Sequence, residues 1–265
     1  MNILTEDDEL SPVHHTPQSN LAWSAAVLAL ILALTDAIAG LFAGIGYRLG
    51  LWDYRDGIGA LPYVFWVAVA TVAISVLAFI AGLALGRRGA MVLGAIAFFI
   101  SAITAYIPWN LRQIVRSVPP IHDITTDFDN PPQYVRIGPL RKKTDHPVAY
   151  AGPEAAAHQK KGYPDIGPIV LKAPADKVFE ASKVVLQAMG MEIIDAEPIQ
   201  GRIEATDGSL LFGFEDDMVL RIVPNSDGTT RVDVRSKSRV GRSDLGINAT
   251  RVREFTNALR RRVQS

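Results

Sequence analysis

The stretch RSKSRVGRSDLGINATRVREF, Arg235–Phe255, decides how the C-terminal part of the chain is read. Alternation along residues 231–240 puts Val232, Val234, Ser236, Ser238 and Val240 on one face and Arg231, Asp233, Arg235, Lys237 and Arg239 on the other. That is the period of a half-buried strand with a basic stripe along one edge. After it, Gly241 and Gly246 supply positive φ, and Ser243, Asp244 and Asn248 are candidate caps. Val252, Phe255, Leu259 and Val263 then recur at helical spacing. The stretch therefore predicts strand, glycine-punctuated loop and amphipathic helix, and it gathers Arg235, Lys237, Arg239, Arg242, Arg251 and Arg253.

Working outward, Ile169–Leu171 has the pattern of a short strand, and a helix opens at Pro174 and runs through Met189 with Gly190 as its stop. Met191–Asp195, Gly201–Phe214, Asp217–Val223 and Thr230–Val240 are the further strands, the last two joined by an Asx-glycine turn at Asn225–Gly228. The order over residues 166–265 is β-α-β-β-β-β-α. It predicts an α+β domain, an antiparallel sheet with two helices on one face, in a helix-grip-like arrangement. Residues 111–165 are proline-rich without sustained periodicity and are expected to form an extended arm that docks on this domain.

The apolar residues are concentrated before position 110. Runs from Ala22 to Tyr47, Leu61 to Leu85 and Gly89 to Trp109 are each near or above the roughly 20 residues that cross a bilayer, so residues 20–110 are expected to form three transmembrane helices. Trp23, Tyr47, Trp52, Tyr63, Trp66, Tyr106 and Trp109 sit near their ends, at headgroup level. Residues 1–19, polar and acidic, are expected to be a disordered tail. Gly40 and Gly44, and again Gly82 and Gly86, make small-xxx-small patterns that bring helices close, within the chain or between copies as an oligomer. Asp36 is the one ionisable residue deep in a span, and Thr71, Ser75, Ser101 and Thr104 are its candidate hydrogen-bond partners. The formal charge balances to zero, which excludes a globally basic nucleic-acid binder. The chain has no cysteine, which excludes disulfides, thiolate metal sites and cysteine nucleophiles.

Four segments, PPIHDITTDFDNPP (Pro119–Pro132), RIEAT (Arg202–Thr206), FGFEDDMVLRI (Phe212–Ile222) and RSKSRVGRSDLGINATR from Arg235, closely resemble the signature of a bacterial and plastid family, domain of unknown function 1499, here in a three-span membrane-anchored form. The family name carries no activity. Many members look exported, which implies a multi-pass protein of the bacterial inner membrane with a periplasmic C-terminal domain. The loop charges point the other way: Arg87 and Arg88 lie on the tail's side, while Arg48, Arg55, Arg112 and Arg116 lie on the domain's side. The domain order also looks like the helix-grip modules of outer-membrane assembly lipoproteins and lipid-binding domains, a likeness of fold and not of function.

No GxSxG, HExxH, Walker or GxGxxG pattern occurs, so no catalytic residues are assigned and no cofactor is expected. The candidate ligand-binding set is Arg221, Arg235, Ser236, Ser238, Arg239, Arg242, Ser243, Asp244, Asn248 and Arg251, arginines suited to a carboxylate or phosphate near a helix N-terminus. His122, Asp123 and Asp127 are weak metal candidates beside the blander reading that the acids cap turns and pair with arginines. The leading expectation is a membrane-anchored, non-enzymatic binding module in envelope maintenance, its partners the bilayer and a lipid or an envelope protein. The alternatives are an enzyme acting on an anionic substrate through Asp216, Asp217, Asp244 and the arginines, and a small transporter using Asp36.

Overall fold

The computed structural model describes residues 17–264, so most of the expected tail, residues 1–16, lies outside the described residues. The chain divides into two compact units, residues 1–110 and 111–265.

The first unit is built from α1 (Pro17–Arg48), α2 (Tyr54–Ala84) and α3 (Arg88–Ser117), the last of which runs on past residue 110. All three helices are long and apolar enough to cross a membrane. Their exposure pattern inverts that of a water-soluble bundle: Ala26, Ala29, Ala68, Ala90 and Ala97 are buried, while Leu28, Ile31, Trp66, Leu77 and Phe99 face outward. Small residues let backbones approach where the hydrophobic effect offers no drive. A Cβ on Gly82 would stand 2.8 Å from the Met91 nitrogen, one on Gly94 3.1 Å from the Ser75 carbonyl oxygen, and one on Gly40 3.3 Å from Val64 Cγ1. Gly40 and Gly82 therefore serve packing within the chain. Asp36 is buried, and its Oδ2 has no hydrogen-bond partner among the described residues. The hydroxyls expected to serve it are committed elsewhere: Thr71, Ser75, Ser101 and Thr104 each donate to the carbonyl one turn back on their own helix.

The second unit adds β1 (Asp123–Thr125), a 3-10 turn (Gly138–Leu140), α4 (Pro153–Gly162), β2 (Ile169–Leu171), α5 (Ala175–Ala188), β3 (Glu192–Glu197), β4 (Arg202–Gly208), β5 (Glu215–Pro224), β6 (Thr230–Ser238) and α6 (Ile247–Gln264). The sheet is antiparallel in the order β1-β6-β5-β4-β3, with β2 also paired to β6. Between β3 and β4, Gly201 has φ +61, and a Cβ there would meet the Ile222 carbonyl oxygen.

Register sorts the side chains into two faces. Ile203, Ala205, Met218, Leu220, Ile222, Val232 and Val234 share one, and Val178, Phe179, Val185 and Leu186 of α5 and Val252, Phe255 and Leu259 of α6 close over it as the core. Arg202, Glu204, Thr206, Asp217, Arg221, Asp233, Arg235 and Lys237 share the other. The arm was expected to dock on the domain, and its acids to pair with the arginines of this second face. The face is sealed by residues 126–150, and Asp233 and Arg235 are 0% exposed. Residues 111–165 are thus woven into the unit: β1 pairs with β6, Ile137 and Tyr134 pack on Val219, and the Gln159 amide of α4 bridges the N–H and C=O of Thr125. The alternation of β6 marked two buried faces, one apolar and one ionic.

Candidate functional site

The ionic face is held by five carboxylates. Asp123 accepts Nε and Nη2 of Arg235 at 2.9 Å each, and Lys237 Nζ stands 3.0 Å away. Burial alone would push the Asp123 carboxyl up; the Arg235 hydrogen bonds and the two positive charges outweigh it and hold the group below its usual range. Burial pushes the Lys237 ammonium down despite the same acid. Tyr134 and Tyr150 lay their rings against the Arg235 guanidinium at 5.1 and 5.5 Å. Asp217 sits between Arg239, which grips it through Nε and Nη2, and Arg141 of the arm at 2.8–2.9 Å, and accepts the Thr206 hydroxyl at 2.7 Å. Asp233 and Asp127 share Arg221 and Arg231. Glu204, fully buried, accepts three consecutive backbone N–H groups, from Val135, Arg136 and Ile137, at 2.8–3.1 Å, a nest that an anion fills.

A second polar cluster lies on the helix face, at the start of α6. Asp244 accepts the N–H groups of Gly246 and Asn248 and so caps the helix; burial pushes its carboxyl up against those two donors. Asn248 accepts the Ser236 hydroxyl at 2.6 Å and donates to Ser238. Arg251 spans Asp216 and Asp207 at 3.0 and 2.8 Å.

The ten residues singled out as a ligand-binding set are therefore divided. Arg221, Arg235 and Arg239 lie on the arm side of the sheet and Ser236 and Ser238 on the α6 side, because neighbours on one strand point to opposite faces, and Asp244, Asn248 and Arg251 belong to the cap and first turns of α6. All eight are satisfied from within the chain. Ser243 accepts the Leu245 N–H, and Arg242 is exposed, its main chain hydrogen-bonded to the His122 ring and its side chain without an ion-pair partner among the described residues. The acids of the enzyme reading, Asp216, Asp217 and Asp244, are spent on arginines and a helix cap. Asp123 and Asp127 face separate arginines, and among the described residues no group of three His, Asp or Glu stands in a metal-ligating arrangement.

His122, read as a metal candidate, instead stacks on His146 of the arm, ring centroids 4.0 Å apart at 15°. His146 Nε2 meets the Gly241 carbonyl at 2.9 Å, and the His146 backbone N–H donates to the Arg239 carbonyl. Burial, then the neighbouring His146, lowers the His122 pKa from 6.5 to about 4. An unfolded chain then takes up a proton that the folded one refuses between those two values. Stability fully present above pH 6.5 is expected to fall as pH drops towards 4. The gap would be worth about 3 kcal/mol for a wholly enclosed ring, and solvent screening of this partly exposed one reduces that to about 1–2 kcal/mol. Urea titrations from pH 7 to 4 should show the decline, and His122→Phe should flatten it; an equal decline in the variant refutes the assignment.

Sequence reasoning missed Arg141, Tyr134, Gln159 and Glu204. Only Glu204 left a signal, a carboxylate placed between Arg202 and Thr206 on the charged face of β4.

A groove of about 800 Å³ lies elsewhere, between α5 and α6. Val184, Val185, Ala188, Met189 and Ala258 form its floor, and Glu254, Asn257, Arg261 and Arg262 its rim.

Three apolar helices followed by an α+β domain with one helix-covered and one arm-covered sheet face define a membrane-associated protein with a self-sealed polar core. The chain belongs to the family described as "Protein of unknown function (DUF1499)", whose profile matches residues 123–259. The match begins at β1 and takes in the arm, as the structure does. No curated protein matches the chain.

Proposed function

We propose that the protein is a membrane-anchored, non-enzymatic binding module that holds a lipid with an anionic head in the groove between α5 and α6. The reading places it in the bacterial inner membrane with residues 111–265 on the periplasmic side, in the service of the cell envelope; that placement rests on the family resemblance alone. The observation that carries the binding reading is the groove itself. Its apolar floor suits an acyl chain, and its volume lies in the range of small-molecule sites. Arg261 on the rim is exposed and has no partner among the described residues, so it is available to a phosphate or carboxylate. The internal pairing of Arg221, Arg235, Arg239 and Arg251 supports the same choice, since those arginines are already engaged by acids of the chain.

Ala188 is exposed on the groove floor, so Ala188→Trp fills the groove without disturbing the core. Mass spectrometry of the protein released intact from micelles supplied with phosphatidylglycerol should show anionic-lipid adducts that Ala188→Trp reduces about tenfold or more, the equivalent of about 1.4 kcal/mol. Arg261→Gln should weaken phosphatidylglycerol and leave phosphatidylcholine unchanged. Equal adducts in all three proteins would refute lipid holding at this groove.

A further inference from the structure

The turn between β4 and β5 is apolar where a water-facing turn is usually polar. Ser209–Phe214 reads SLLFGF, and Leu210 is 90% exposed. The loop is framed rather than collapsed: Ser209 N–H donates to the Phe214 carbonyl at 2.8 Å, Gly213 N–H to the Ser209 carbonyl at 2.9 Å, and Phe214 N–H to Ser209 Oγ at 2.8 Å. Phe212 and Phe214 stack at 4.9 Å, so the two rings form one apolar plate beside Leu210 and Leu211.

The chain leaves α3 at Ser117 and enters β1 at Asp123, so five residues, 118–122, connect them. Such a connection reaches at most about 18 Å. Those residues run beside the β6 end and the loop after it, where Ile121 accepts the Asp244 N–H and His122 accepts the Ser238 N–H. Ser238 is the register partner of Asp216, and Arg239 N–H donates to the Glu215 carbonyl, so the start of β5 and the apolar turn lie at this same end of the sheet. Arg242, exposed and with its guanidinium in no ion pair among the described residues, and Ile247, 47% exposed, belong to the loop and helix start at that end. Apolar tips with a nearby free arginine are the composition of segments that rest in a headgroup layer.

We propose that the β4–β5 turn, Leu210–Phe214, is a lipid-contact loop that seats in the headgroup region of the membrane crossed by the chain's own apolar helices. Arg242 meets anionic headgroups beside the loop. This surface is separate from the α5–α6 groove and does not depend on what the groove holds.

The chain supplies its own control. Ile199, 97% exposed, is an equally bare aliphatic side chain in the β3–β4 turn, at the opposite end of β4. Because the chain has no cysteine, Leu210→Cys and Ile199→Cys each accept a single environment-sensitive nitrobenzoxadiazole label. With the full chain in nanodiscs of phosphatidylcholine and phosphatidylglycerol, lipid carrying a shallow doxyl quencher should reduce emission at position 210 at least about twofold and leave position 199 unchanged. Quenching equal at both positions would show partition of the label alone, and quenching at neither would place the loop in water; either result overturns the proposal. So does burial of position 210 in native membrane vesicles but not in pure lipid, which would assign the loop to a protein partner. Ala188→Trp in the Leu210→Cys background should keep the quenching, which separates failure of this loop from failure of the groove.

Discussion

Asp123→Ala is expected to lower the stability of the C-terminal unit by about 3–5 kcal/mol, because it leaves two buried cations without their anion. Arg235 is 0% exposed and Lys237 2% exposed, and Asp123 is the carboxylate within reach of both. Neither can turn to water, since Arg235 is enclosed by Tyr134, Tyr150 and the Pro132 and Val148 carbonyls, and Lys237 donates to the Ala149 carbonyl. The cost arises from the groups left behind, so adding Arg235→Met to Asp123→Ala should recover part of it. Tryptophan emission will not report the change, because Trp23, Trp52, Trp66 and Trp109 all belong to the first unit. Amide exchange of residues 230–238 in urea, with the full chain in micelles, reads it directly. Unchanged protection of β6 would mean that the pair contributes nothing. The depressed Asp123 carboxyl also sets a sign: its contribution is present above about pH 4, the range of an unfolded aspartate, and is lost as pH falls below it through the folded value.

The apolar half of the fold was legible because burial leaves a period. Three runs of about membrane length, the β-α-β-β-β-β-α order and the inward stripe Val252, Phe255, Leu259 all follow from spacing, and the structure has them. The ionic half was legible in composition but not in address. Arg231, Asp233, Arg235, Lys237 and Arg239 look the same in sequence whether water or an arm covers them, and alternation alone favours water. What reverses the reading is a long-range match: Asp123, Asp127, Tyr134 and Arg141 lie about a hundred residues before β6, on a segment with only a three-residue strand to betray pairing. The arm carries no repeating pattern because its ligands are mostly single side chains and backbone groups. The gathered arginines were likewise real as neighbours along the chain but not as one surface, because Arg239 and Arg251 are separated by the sheet itself. The groove and the Leu210 turn needed three dimensions: α5 and α6 each show an ordinary amphipathic stripe, and an apolar turn residue has no period at all.

Glu204→Gln is expected to destabilise the unit by about 2–4 kcal/mol while changing neither shape nor volume, because bonds to a charged acceptor contribute about 1.5–3 kcal/mol each. Val135 and Arg136 donate to Oε1, and Arg136 and Ile137 to Oε2, so both oxygens are used by N–H groups of one turn. An amide keeps one oxygen and must point an NH2 group at the remaining donors, which strands buried N–H groups with nothing to accept them. Arg202 Nε stands 3.0 Å from Oε1 but off the hydrogen-bond direction, so it supplies charge and not a fifth bond. The turn that Glu204 organises carries Tyr134 and Ile137, whose side chains pack on Val219 and close the ionic face. Loss of the nest should therefore loosen the arm before the sheet. Amide exchange is expected to rise first at residues 135–137 and then at 141–149, with β4 and β5 protected until global unfolding. Uniform loss across the sheet, or no change at residues 135–137, would show that the carboxylate does not hold the arm.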